Sequence, residues 1–144
     1  MFVVDTNVLV YAADLSAPES VKCRELLLGW RAQAAPWFLT WGVVYEFLRV
    51  VTHPRVFRRP WSPIEAWSFV EALLAAPALE LLVETERHPQ ILAGLVARVP
   101  QLTGNLLHDA HTAALMAEHG VRTIYTRDTD FHRFPGVEVR DPLS

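Results

Sequence analysis

The chain has 144 residues, 51% hydrophobic and 20% charged, an ordinary balance for a soluble globular protein that can bury a sizeable core without disulfides or a structural metal. No apolar run reaches the ~20 residues of a membrane span, because Glu46 and Arg49 interrupt the best candidate, WFLTWGVVYEFLRVV. The net charge of −3 excludes no polyanionic ligand: twelve of the 13 basic residues are Arg, and carboxylates gathered around cations would leave the remaining surface near neutral.

Short β-rich runs alternate with longer helical patterns, which predicts an α/β fold with a parallel sheet, in one domain over residues 1–144. Residues 2–4 read as a buried strand, followed by a helix from about Asn7 and a second one opened by Ser16-Ala17-Pro18 and running to about Trp30. Residues 36–39 read as a strand, after which Thr40 can cap a helix to about Val51. Pro54, Pro60 and Pro63 break the chain before a helix from about Ser62 to Ala75. A strand at 79–83 and a helix at 88–98 come next. Asn105 can cap an Ala-rich helix over 106–119 that Gly120 stops. Residues 121–126 form the last clear strand, with a short edge strand at 137–139. The N-terminus has no secretory leader pattern and Cys23 stands alone as a plain thiol, so a reducing cytoplasm is the expected setting.

Four acidic positions stand out against this frame. Asp5 interrupts the apolar run FVVDTNVLVYAA at the C-terminal end of the first strand, where open α/β sheets bind ligands. It is either an N-cap or part of a site. Asp128 follows the strand RTIYT in the same relation, although an Asx-type turn through Asp128-Thr129-Asp130 explains it as well. Asp109 lies in the first turn of helix 106–119, at the margin of a stripe made by Leu106, Ala110, Ala113 and Ala117. Taken alone, it is a carboxylate favoured by a helix N-terminus. Glu46 sits in a helix that is apolar nearly all round, with Trp41, Val44, Leu48 and Val51 on one face. It either points into a cleft or pairs with Arg49 three residues on.

Taken together, converging carboxylates with no matching Lys repel one another and raise each other's pKa. A hard divalent cation removes that penalty, and oxygen-only ligation selects Mg²⁺ or Mn²⁺ over zinc. Such a cluster suits phosphodiester hydrolysis by metal-activated water. No Ser-His-Asp or Cys-His arrangement suggests a covalent intermediate, and no Walker-type loop suggests a nucleotide cofactor.

At this point whole segments match a family. VVDTNVLVYA, FLRVVTHPRVF, GNLLHDAHTAALMAEHG and TIYTRDTDFHRFPGVEVRDPL, in this order, resemble a PIN-domain ribonuclease, specifically a VapC-type toxin of a bacterial toxin–antitoxin pair. The resemblance implies a three-layer α/β/α sandwich, Mg²⁺- or Mn²⁺-dependent cleavage of RNA, a cognate antitoxin and a homodimer. It maps the metal-binding acids onto Asp5, Asp109 and Glu46. The fourth falls on Asp128, nearer the strand end, with Asp130 as its rival. Thr6, Asn7 and Thr126 then look like groups that orient carboxylates or water.

Arg49, Arg127 and Arg133 lie close in sequence to these acids. They either steer a phosphate backbone or neutralise the acids. The basic, aromatic loop THPRVFRRPW is either a phosphate-tracking loop or a solvated one that packs Phe57 and Trp61. Trp61, Trp67 and Phe69 are expected in packing rather than stacking on bases. Two other functions compete: an HD-type metal phosphohydrolase suggested by His108-Asp109 with His88 and His119, and a catalytically silent RNA- or partner-binding module. The first needs a mostly helical body and leaves FVVDTN and RTIYTRDTDF unexplained.

Overall fold

The computed structural model describes residues 1–144. Five short strands form one all-parallel sheet: β1 (Phe2–Val4), β2 (Trp37–Thr40), β3 (Leu79–Leu82), β4 (Thr123–Tyr125) and β5 (Glu138–Arg140), in the order β3-β2-β1-β4-β5. Six helices connect them: α1 (Thr6–Ala13), α2 (Ser20–Ala32), α3 (Trp41–Thr52), α4 (Pro63–Leu74), α5 (His88–Arg98) and α6 (Leu106–His119). A 3₁₀ turn, Thr129–Arg133, links β4 to β5. β1 to β3 are built outward to one side of β1, and β4 and β5 to the other. The order therefore reverses between β1 and β4, and the crevice at their carboxyl ends is the switch point where such sheets bind ligands.

Two apolar layers flank the sheet, giving the expected α/β/α sandwich. One joins α1 to α4 through Leu9, Leu27, Phe47 and Leu73; the other joins α5 and α6 through Leu95, Leu115 and Met116. Phe2, Trp30 and Tyr125 seat α2 against β1 and β4, with ring centroids 4.8–5.0 Å apart. Phe57 is buried, and Trp61 packs on Phe47 and Phe69, so the aromatic residues of the loop after α3 anchor it. Trp67 remains exposed. Cys23 is buried, and loss of hydration pushes its thiol up to about 11.

Local chemistry sets most boundaries. Thr40 accepts from Val43 N at 3.0 Å and opens α3. Ser62 and Glu65 form a capping box ahead of α4, an arrangement that contributes about 1 kcal/mol. Gly120, at φ 68°, closes α6, and Val121 N returns to Met116 O. That return delays β4 to Thr123. Three expectations need correction. Ser16 does not open α2, because its N–H and hydroxyl both bind Asp14 Oδ1 in an Asx-type turn, so the helix begins at Ser20. Asn105 makes no side-chain cap, since its backbone is already helical and Leu106 N and Leu107 N donate to Thr103 O and Gly104 O in turns that lead into α6. Finally, the buried stripes of α3 and α6 differ from those expected. In α3 the buried face is Val43, Val44, Phe47 and Val51, with Trp41 exposed. In α6 Ala117 is exposed, while Thr112 to Met116 is buried all round between α5, the sheet and α3.

Candidate metal centre

Asp5 leaves β1 where its own N–H still pairs with Tyr125 O, at 3.0 Å, so the parallel ladder carries the residue to the rim beside β4. Its two oxygens have different partners. Oδ1 caps α1, accepting from Thr6 N at 2.8 Å. Oδ2 faces the crevice, accepting from the Thr126 hydroxyl at 2.7 Å and from Asn7 Nδ2 at 3.2 Å. Thr126 is 1% exposed and holds the rim together: its Oγ1 also accepts from Asn7 Nδ2 and from Asp128 N, each at 2.9 Å. Asn7 Oδ1 in turn accepts from Arg127 N at 3.2 Å. Thr6 donates to Val43 O, tying α1 to α3.

Asp128 likewise fills two roles. Its Oδ1 accepts from Asp130 N at 2.9 Å and caps the 3₁₀ turn, and its carboxylate stands with those of Asp109 and Asp130. One oxygen from each of these three lies within 4.8 Å of the others, a spacing that one cation can bridge. Asp109 reaches this point because α6 runs back toward β4 and so begins at the carboxyl edge of the sheet. Asp5 and Glu46 stand outside that closest group but within its field. Burial first, then Asp128, Asp5, Asp130 and Glu46 in turn, push Asp109 up to about 7. Burial raises Asp5 as well, against the donors Thr126 and Thr6, with Asp128 and Glu46 adding repulsion.

Glu46 takes the ion-pair alternative. Arg49 grips both its oxygens, at 2.6 and 3.0 Å, and holds its carboxyl below the usual range. Arg133 lies 3.6 Å from Asp130, so it too neutralises an acid. Arg127 does not serve the cluster: its guanidinium is 3.3 Å from Glu19 and 3.5 Å from Asp141. Glu19 went unnoticed in the sequence, where 108 residues separate it from Arg127 and nothing marks the pairing.

The five-stranded parallel sheet removes the HD-type alternative, whose helical body is absent. The PIN domain model matches residues 2–137. Among curated proteins, the chain is similar to Ribonuclease VapC43 of Mycobacterium tuberculosis, 41% identical over 99% of this chain and 96% of the relative. It is also similar to Ribonuclease VapC48 of the same species, 35% identical over 97% and 96%. Among solved structures, Mycobacterium tuberculosis VapC20, a Sarcin-Ricin loop cleaving toxin, superposes with TM-score 0.67 at 19% identity over 98% of this chain and 100% of the other. DNA-bound VapBC from Salmonella typhimurium gives 0.65 at 18%, covering 98% and 97%. The two structures share the fold, and the nearly end-to-end sequence matches go further: this chain belongs to the PIN-domain family of VapC ribonucleases.

Proposed function

We propose that this chain, acting as one domain over residues 1–144, is a Mg²⁺- or Mn²⁺-dependent endoribonuclease of the cytoplasm, a toxin silenced by a cognate antitoxin. The observation that carries this reading is the gathering of Asp109, Asp128 and Asp130 at the switch point, with Asp5 and Glu46 close enough to raise Asp109. The donors are all carboxylate oxygens and no Lys intervenes, which fits a hard cation. Asp5, Glu46, Asp109 and Asp128 would hold it. Asp128 is preferred to Asp130 because Thr126 fixes its backbone and it alone of the two raises Asp5, whereas Asp130 is exposed and faces Arg133. When bound, such an ion polarises a phosphate oxygen and lowers the pKa of a coordinated water.

The rest falls to the chain's own residues. Asn7 and Thr126 fix the Asp5 carboxylate and leave it little freedom to rotate. Arg49 and Arg133 now neutralise Glu46 and Asp130, and both are half exposed. With Glu46 engaged by the ion, Arg49 would be free to grip the RNA backbone, and Arg133 would meet it from beside Asp130. Arg127 remains with Glu19 and Asp141 and helps only by keeping its loop in place. Trp41 and Tyr45 on α3 and Leu107 on α6 are exposed apolar residues on the helices that carry Glu46 and Asp109, which supports an antitoxin covering the site. A groove lined by Leu27, Leu28, Phe69 and Leu73 supports a homodimer.

Incubating the purified chain with total RNA and Mg²⁺ or Mn²⁺, then mapping new ends, tests the reading. Discrete cuts are expected. RNA that is bound with a steep salt dependence yet stays whole would establish the silent binding module instead.

Thr126→Val keeps the shape of the side chain and removes its hydrogen bonds. Asn7 and Asp128 lose an acceptor, and Asp5 loses the donor that lowers its pKa. Cleavage should fall about 10–100-fold, and the acid limb of its pH profile should move to higher pH. Thr126→Ser should restore both, and a profile that stays put would show that Thr126 only packs.

A further inference from the structure

Behind the acid edge, the loop after β3 and the first turn of α5 meet α6 in a second group of ionisable side chains. One ligand atom each from Glu84, His88 and His111 lies within 4.8 Å of the others, and the two imidazoles meet edge to face with centroids 5.7 Å apart. His111 lies two residues beyond Asp109 on α6, about 200° around the helix, so the groups face different sides.

The geometry points to a metal site for a borderline-soft divalent ion of the Zn²⁺ class, ligated by Glu84, His88 and His111 and oriented by Glu118. Glu118 is the unusual feature. Its side chain is completely buried near the end of α6, where a carboxylate would otherwise be unfavourable, and its partners are His88 of this group and Thr85 of the adjoining loop. Oε1 accepts from Thr85 N at 2.7 Å and from the Thr85 hydroxyl at 2.8 Å, and Oε2 lies 2.6 Å from His88 Nδ1. A carboxylate on Nδ1 fixes the proton there and leaves Nε2 as the unprotonated donor, the arrangement that carboxylate–histidine–metal sites use. The loop is tied down as well: Arg87 donates to Glu118 O, and His119 Nε2 lies 2.7 Å from Val83 O.

His111 completes the set. Its Nε2 is 2.6 Å from Glu84 Oε1, while Nδ1 lies on the side of Gly42, where an added Cβ would stand 3.4 Å away. Binding needs the Nδ1–H tautomer of His111 and an adjustment of the three ligand-atom separations, now within 4.8 Å, to about 3.3 Å, the edge of a tetrahedron with ~2.0–2.1 Å bonds. Two imidazoles and one carboxylate are nitrogen-rich, unlike the oxygen-only acid edge, so the two sites sort ions by hardness. The fourth position opens to solvent, since Glu84 and His111 are partly exposed. An ion here would pin the β3–α5 loop to the helix that carries Asp109.

Co²⁺ titration of the chelator-stripped full chain tests this. A four-coordinate site with two nitrogens gives an intense visible band, whereas six-coordinate oxygen ligation at the acid edge stays pale. The band is expected in the natural chain and in Asp109→Asn, displaced by one equivalent of Zn²⁺, and lost in His111→Gln. Glu84→Gln, a change at an exposed side chain, should weaken cobalt binding at least about tenfold. Because His88→Gln leaves buried Glu118 without its partner and loosens the fold, the two milder variants decide. Zn²⁺ at about 100 times its dissociation constant should raise Tm by about 5 °C or more in the natural chain and not in His111→Gln. A natural chain without the band, a band that survives His111→Gln, or one that disappears in Asp109→Asn would overturn the assignment.

Discussion

Asp109→Asn is expected to reduce RNA cleavage about 10²–10³-fold, the scale on which losing a catalytic electrostatic partner acts, while making the metal-free fold more stable. Both effects come from the same repulsion. Asp109 is raised from 3.8 to about 7 by burial and by four neighbouring carboxylates. Its folded pKa lies above its unfolded one, so between about pH 4 and 7 the native state holds the proton that the unfolded state has released. Stability then falls as pH rises through that window, and the full penalty is present above it. Asn carries no charge, so the variant escapes it. Asp109 is partly exposed, and solvent screening limits the gain at pH 8 to about 1–2 kcal/mol, or about 3–6 °C in Tm. At pH 4 the two proteins should melt together. Cleavage that persists in the variant, or a variant less stable at pH 8, would remove Asp109 from the site.

The fold was largely legible because its signals are local. FVV, WFLT and TIY are short β-rich runs, and Thr40, Ser62 and Gly120 mark helix ends by chemistry that acts within a few residues. Errors came where tertiary packing decides. Ala117 has the right spacing for the core stripe of α6, yet it faces solvent, while Glu118 beside it is buried. No periodicity distinguishes these two, since the partners of Glu118 lie some 30 residues back in the loop after β3. At the acid edge, Asp5 and Asp128 could be read from their place after strands. The ladder from Asp5 to Tyr125 shows why that place suffices: adjacent parallel strands end together. The state of the arginines could not be read. Arg49 pairs with Glu46 within one helix turn, a contact that spacing suggests, but Arg127 meets Glu19 through a fold that brings residues 108 apart into contact.

Chelation should stop cleavage completely, and adding Mn²⁺ back should restore it and change the pH dependence of stability. In EDTA, Asp5 and Asp109 both sit above the ordinary carboxylate range, so the stripped protein loses stability as pH rises and these groups ionise in the fold. A cation competes with those protons. Its affinity grows as the carboxylates deprotonate, so its contribution to stability grows over the same range in which the stripped protein weakens. At pH 8 and about 100 times the dissociation constant, the ion adds about 2.7 kcal/mol to the folded state, or about 8 °C in Tm. At pH 4, where Asp109 is protonated, the two curves should converge. Melting curves at several pH values with EDTA or Mn²⁺, run beside RNA cleavage on the same samples, give the comparison. Cutting that continues in EDTA, or melting temperatures that ignore Mn²⁺ at pH 8, would mean that these carboxylates hold no ion. Arg49 would then be the permanent partner of Glu46 rather than a residue released to the substrate.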